Sequence, residues 1–114
     1  MSTETSIVAA LASVAGGRVY PIVAPEKAVK PFVVYKAAVT PVVLLSGAIV
    51  GHKTLVTFEA WAGNYTAAMS TAASIQAALL AAGLNGVALP AEEDGYDMAT
   101  DEYVRPLVYE FLST

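Results

Sequence analysis

From Lys53 to Gly83 the hydrophobic period of the chain changes once, and the change marks two elements. In LVTFEAW, Leu55, Thr57, Glu59 and Trp61 fall on one side, and Val56, Phe58 and Ala60 on the other. A two-residue period predicts a β-strand over His52–Ala62. After Gly63-Asn64, small and apolar residues recur at Tyr65, Ala68, Met69, Ala72, Ile75, Leu79 and Ala82. Spacings of three and four predict a helix that Asn64 or Thr66 caps and Gly83 ends. Nothing in either element offers chemistry. The pattern is one of packing, and it points to a structural or assembly protein.

The same reading extends outward. A first helix is expected over Glu4–Ala15, capped by Ser2 or Thr3, with Ile7, Val8, Leu11 and Val14 as its buried stripe. Gly16-Gly17 ends it. Arg18–Pro21 is a short extended piece. Pro21, Pro25 and Pro31 bracket a loop with Glu26-Lys27 at its tip. Phe32–Val39 is rich in β-branched and aromatic residues and reads as a strand.

Residues 40–51, TPVVLLSGAIVG, carry Pro41, which excludes a central strand, and a Ser46-Gly47 turn. They are expected to form a hairpin extension or apolar arm. Val87–Leu89 is a short strand, AEEDGYD an acidic loop, and Asp101–Thr114 a terminal strand. Pro106 gives that last strand an edge position or a bulge. The expected fold is α+β within one domain spanning residues 1–114. It has a small, mostly antiparallel sheet, one long helix packed across it and a shorter N-terminal helix. Val56, Phe58, Ile75, Leu79, Leu11 and Val34 should be buried.

Composition changes this picture little. Of 64 hydrophobic residues, 22 are Ala, so the high apolar content describes a small-residue fold rather than a membrane protein. The strongly apolar uncharged run Ala37–Gly51 is interrupted by Pro and Gly and is shorter than the ~20 residues a spanning helix needs. The start, MSTETS, does not read as a secretory signal. The absence of Cys removes disulfides and thiolate metal sites.

Charge says more. Residues 1–53 hold five bases and two acids, a net +3, whereas residues 54–114 hold one base and eight acids, a net −7. Six of those acids lie between Glu92 and Glu102. Such a molecule can pair head to tail with its own copies. The other reading of the same charges is two solvated faces without a partner. The expected contact residues are Arg18, Lys27 and Lys30 from the basic half, and Val42, Leu44, Leu45 and Ile49 from the arm. Glu92, Glu93, Asp94 and Asp97 are expected from the acidic segment.

The sequence carries no catalytic constellation. His52 is the single histidine and has no second imidazole to share a metal. No GxSxG elbow is present, and Gly16-Gly17 follows a helix instead of opening one. The acids at 92–102 lack calcium-loop spacing. No basic patch is interleaved with aromatics, and the net charge of −4 does not suit a nucleic-acid binder. No catalytic residue, cofactor or metal is expected.

The order of parts resembles a known family. GRVYPIVAP at Gly17–Pro25, PFVVYK at Pro31–Lys36, an uncharged Pro- and Gly-containing stretch, then TLVTFEAWAGNYTAAMSTAASIQAAL at Thr54–Leu79 are similar to the tail-completion, or tail-to-head joining, proteins of long-tailed bacteriophages. The similarity covers residues 7 to about 83 well and the last third loosely. It implies a tail terminator that forms a ring, typically of six subunits, on the end of the tail tube. The implied partners are copies of itself, the tail tube protein and head–tail connector proteins. DNA passes through the ring without specific binding, and no membrane is involved. The place implied is the head–tail junction of the virion, reached from the host cytoplasm during assembly. The family brings no active site to transfer. A head-side connector or tube subunit is the nearest alternative. A small enzyme or ligand-binding domain, with a cleft between the second helix and the sheet, is the remote one.

Overall fold

The computed structural model describes residues 3–113 apart from 26, 27, 85 and 92. In chain order it contains α1 (Thr3–Ala10), β1 (Val19–Pro21), β2 (Phe32–Val43), β3 (Ile49–Ala62), α2 (Tyr65–Ala81), β4 (Gly86–Leu89), β5 (Gly95–Asp97) and β6 (Glu102–Ser113). The strands form one sheet in the order β1-β2-β3-β6-β4, with β5 also on β6. Among the described strands only β1 on β2 is parallel. The chain is therefore α+β with a mostly antiparallel sheet.

The two-residue period sets the faces of the sheet. Val56, Phe58 and Ala60 pair across to Ala37, Tyr35 and Val33 on β2 and to Tyr109, Leu107 and Arg105 on β6. Phe58 is fully buried at the centre of this face. Ala72, Ile75 and Leu79 of α2 pack with it, as do Ile7, Leu11 and Val14. All six residues expected in the interior are buried, but Val34 lies on the opposite face, paired with Glu59. The Asn64 side chain caps α2 by accepting from the Ala67 N–H at 2.8 Å.

Several boundaries differ from expectation. The first helix stops at Ala10, not Ala15. Beyond it the hydrogen bonds tighten to i−3, as in Val14 N–H to Leu11 O at 3.0 Å. A three-residue step keeps Leu11 and Val14 on one side, and both are buried. Val8 is exposed instead, because so short a helix covers only its Ile7–Leu11 stripe. On α2, Tyr65, Met69 and Ala82 are exposed near its ends, and Thr71 takes a buried place.

The expected acidic loop contains β5, paired with β6 from Gly95↔Val104 to Asp97↔Glu102. The terminal strand is not an edge, since β3 flanks it on one side and β4 and β5 share the other. Pro106 still avoids a ladder on that second side. It lies in the gap between the β5 partners, ending at Val104, and the β4 partners, beginning at Val108. The Ser2, Glu26-Lys27 and Glu92 expectations lie outside the described residues.

Candidate functional site

The β2–β3 ladder continues well past the body of the protein. β6 accompanies β3 only to the His52↔Ser113 pair, whereas β2 and β3 remain paired to Val43↔Ile49. Residues 41–51 therefore form a two-stranded arm. β1 covers β2 only at residues 33–35, so Pro41 stands on an open edge, where its missing N–H costs no ladder bond. A bulge between Val42 and Val43 leads into the tip. There Leu44 N–H donates to Ala48 O at 2.9 Å and Gly47 N–H to Leu44 O at 2.9 Å. Gly47 adopts φ 87, which suits glycine alone among common residues.

The arm makes the molecule long, with extents of 51 × 25 × 23 Å. Its radius of gyration is 15.0 Å, against about 13 Å for a compact chain of this length. The side chains along the arm are apolar and open to solvent. Leu44 is 51%, Ile49 61% and Leu45 fully exposed, with Val39, Val43 and Val50 beside them. Val42 is half-buried. An apolar patch of this kind marks a contact surface.

A second surface lies on the sheet face away from α2. Phe32 stacks on Trp61 at 6.2 Å between ring centres, and Val34 follows on the same face. These side chains floor a groove of about 610 Å³ whose wall is the Ile22–Pro25 segment with Ala28. Lys30 Nζ donates to Thr100 O at 3.3 Å across one side. Glu59, Asp97 and Glu102 add carboxylates to the lining. Glu102 Oε2 is buried and has no hydrogen-bond partner among the described residues.

The acidic segment is held down on the α2 face by tyrosines. Tyr65 O–H donates to Asp94 Oδ2 at 2.6 Å, and Arg105 approaches the same oxygen at 3.8 Å. Tyr96 O–H donates to Asp101 Oδ1 at 2.6 Å and its ring packs on Tyr103. Each carboxylate acceptor favours the neutral phenol, so both Tyr65 and Tyr96 are raised above the usual phenol range of 10.0. For Tyr65 the hydrogen bond to Asp94 dominates, followed by desolvation, with Arg105 opposing.

The expected contact residues are thus distributed over three places. Leu44, Leu45 and Ile49 share the arm. Asp94 is bound by Tyr65, Asp97 accepts from Ala99 N–H at 2.9 Å, and Glu93 is exposed. The bases turn inward more than expected. Arg18 Nε donates to Pro31 O at 3.0 Å, Lys30 reaches Thr100, and Lys53 pairs with Glu110 at 3.6 Å. Lys27 and Glu92 lie outside the described residues.

The groove and the tyrosine–carboxylate contacts were not anticipated. The groove had a visible signal. Phe32–Tyr35 is a continuous apolar run without alternation, the mark of a strand covered on both faces. The Tyr65–Asp94 contact had none, because it joins residues 29 apart in sequence.

Among the described residues no group of three or more His, Cys, Asp or Glu side chains could hold a metal ion. No helix among them is long and apolar enough to cross a membrane. What the structure presents is a small α+β fold with an exposed apolar arm and a groove. Residues 6–111 match the family described as Tail completion protein gp17, and the chain belongs to that family. It is a structural protein of phage tails, from a family that is not one of enzymes. The resemblance read from RVYP, PFVVYK and the strand–helix unit is therefore confirmed. The chain is also similar in fold to one in a solved structure described as the virion of a native gene transfer agent (GTA) particle. The TM-score is 0.69 at 16% identity, covering 98% of this chain and 94% of that one. No curated protein matches.

Proposed function

We propose that this protein is a tail terminator. Its copies close into a ring on the last ring of the tail tube, stop tube elongation and offer the outer surface on which head connectors dock. The observation that carries the reading is the arm. Residues 41–51 leave the body without a third strand, carry no charge and expose Leu44, Leu45 and Ile49. The body of its own chain does not cover this surface, so another molecule must.

An arm on one copy meeting a different surface on the next is a heterologous contact. Such contacts close into a ring when the rotation divides a full turn. Six copies is the number that the family resemblance adds. Unlike charges between residues 18–53 and 92–102 of adjacent copies assist. They do not carry the contact, since Arg18, Lys30 and Lys53 already engage their own chain and exposed pairs are worth at most about 1 kcal/mol. DNA passes through the ring without specific binding, and the whole chain acts as one domain.

Tube length tests the reading. Tail assembly without the protein should give tubes of uncontrolled length that fail to join heads, and adding the protein back should restore both. Tubes of normal length that still lack heads would move the protein to the head side of the junction.

A further inference from the structure

We infer that the arm tip of one copy docks in the groove that Phe32, Val34 and Trp61 floor on the next copy. This rests on the proposed self-assembly and names its two surfaces.

The two surfaces lie at opposite ends of the same pair of strands. Phe32 and Val34 begin β2, whereas Val43 ends it and leads directly to Leu44 and Leu45. Roughly ten strand residues at about 3.3 Å each separate them by about 30 Å. The ladder between them is continuous to the bulge at Val42/Val43. A paired strand of that length cannot fold back on itself, so the arm does not reach its own groove. It can reach only the groove of another copy. Each copy then offers one arm and one groove, which gives a head-to-tail series rather than an isolated pair.

The surfaces also match in chemistry. The groove floor is aromatic and aliphatic but largely covered, with Phe32 and Val34 buried. The apolar surface left open is on the wall at Ile22 and Val23, and the groove's volume of about 610 Å³ exceeds what one side chain fills. The tip supplies Leu44 and Leu45 as apolar anchors. From Ala37 to Gly51 the arm has no charged side chain, so it brings no charge of its own into the groove. The groove's own polar demand is for donors. Glu102 Oε2 is buried without a partner among the described residues, and Ser46 at the tip carries a hydroxyl beside Leu45. Behind the arm, the exposed Lys36 brings positive charge toward a neighbour whose groove is lined by Glu59, Asp97 and Glu102.

Cysteine trapping tests the contact directly, because the chain has no Cys of its own. One batch carries Leu45→Cys at the tip and another Ala28→Cys in the groove wall. They are mixed and mildly oxidised, both free at high concentration and after addition to tail tubes. The mixture should give a disulfide-linked dimer that neither variant forms alone, and the double variant should give a ladder of higher multiples. A control mixture of Leu45→Cys with Leu80→Cys, which is exposed on α2, should stay uncoupled. Tubes capped normally with no dimer in the mixture would overturn the arm-in-groove contact while leaving the terminator reading intact. A dimer in free solution with bare tube ends would support the contact and count against the terminator. A control that couples as well as the test pair would also overturn the contact.

Discussion

At the scale of single residues, Phe58 holds the most exacting position. It is fully buried, sits mid-strand on β3 and packs edge-on to Tyr109 at 6.1 Å. Phe58→Ala should cost about 3–5 kcal/mol, read from the urea midpoint. A loss below about 1 kcal/mol would mean that the core is not centred there. Gly86 is a second test. A Cβ added at this position would stand 2.5 Å from the Phe111 ring, which lies directly across the β4–β6 ladder and is buried. Gly86→Ala should therefore lose about 1–3 kcal/mol as the ring is displaced. Much at this scale was legible in the sequence. The alternation around Phe58 gave the right strand phase, and Ala68, Ala72, Ile75 and Leu79 gave the right helix face. Val8, Tyr65 and Met69 were misread because periodicity names a face but does not say how far the neighbouring surface extends beneath it.

At the scale of elements, the acidic segment departs most from a solvated loop. It forms β5 and is fastened by Tyr65–Asp94 and Tyr96–Asp101. Both phenols are raised above 10.0 in the folded state. The folded protein therefore holds these protons more tightly than the unfolded chain. Their contribution to stability is complete below about pH 10 and is lost as pH rises through the folded values. Thermal melts across that range should show a fall that the double variant Tyr65→Phe, Tyr96→Phe shows less strongly. An equal fall in both proteins would mean that the fastening contributes nothing. The Tyr65–Asp94 tie was not readable beforehand, because a hydrogen bond across 29 residues leaves no local pattern. The cap of α2 was readable. Asn64→Ala should cost about 0.5–2 kcal/mol, since the Ala67 N–H loses its acceptor. The length of the arm was only partly legible. Pro41 and Ser46-Gly47 showed where pairing ends and turns, but not that β2 and β3 stay in register to Val43↔Ile49.

At the scale of the whole molecule, stability and assembly should separate. The body packs between α2 and the sheet, while the arm exposes its apolar side chains beyond the last residue of β6. Leu45→Ser should leave unfolding within about 0.5 kcal/mol of the parent, as exposed substitutions do, yet abolish association with its partners. Loss of both together would show that the arm supports its own fold. The membership of the chain in a tail completion family and the arm both support the proposal that copies of this protein end the tail tube. Electron microscopy of growing tail tubes mixed with the purified protein tests that claim most directly. The account predicts an added ring at one end of each tube and no further growth from that end. Tubes that continue to lengthen with bare tips would contradict it.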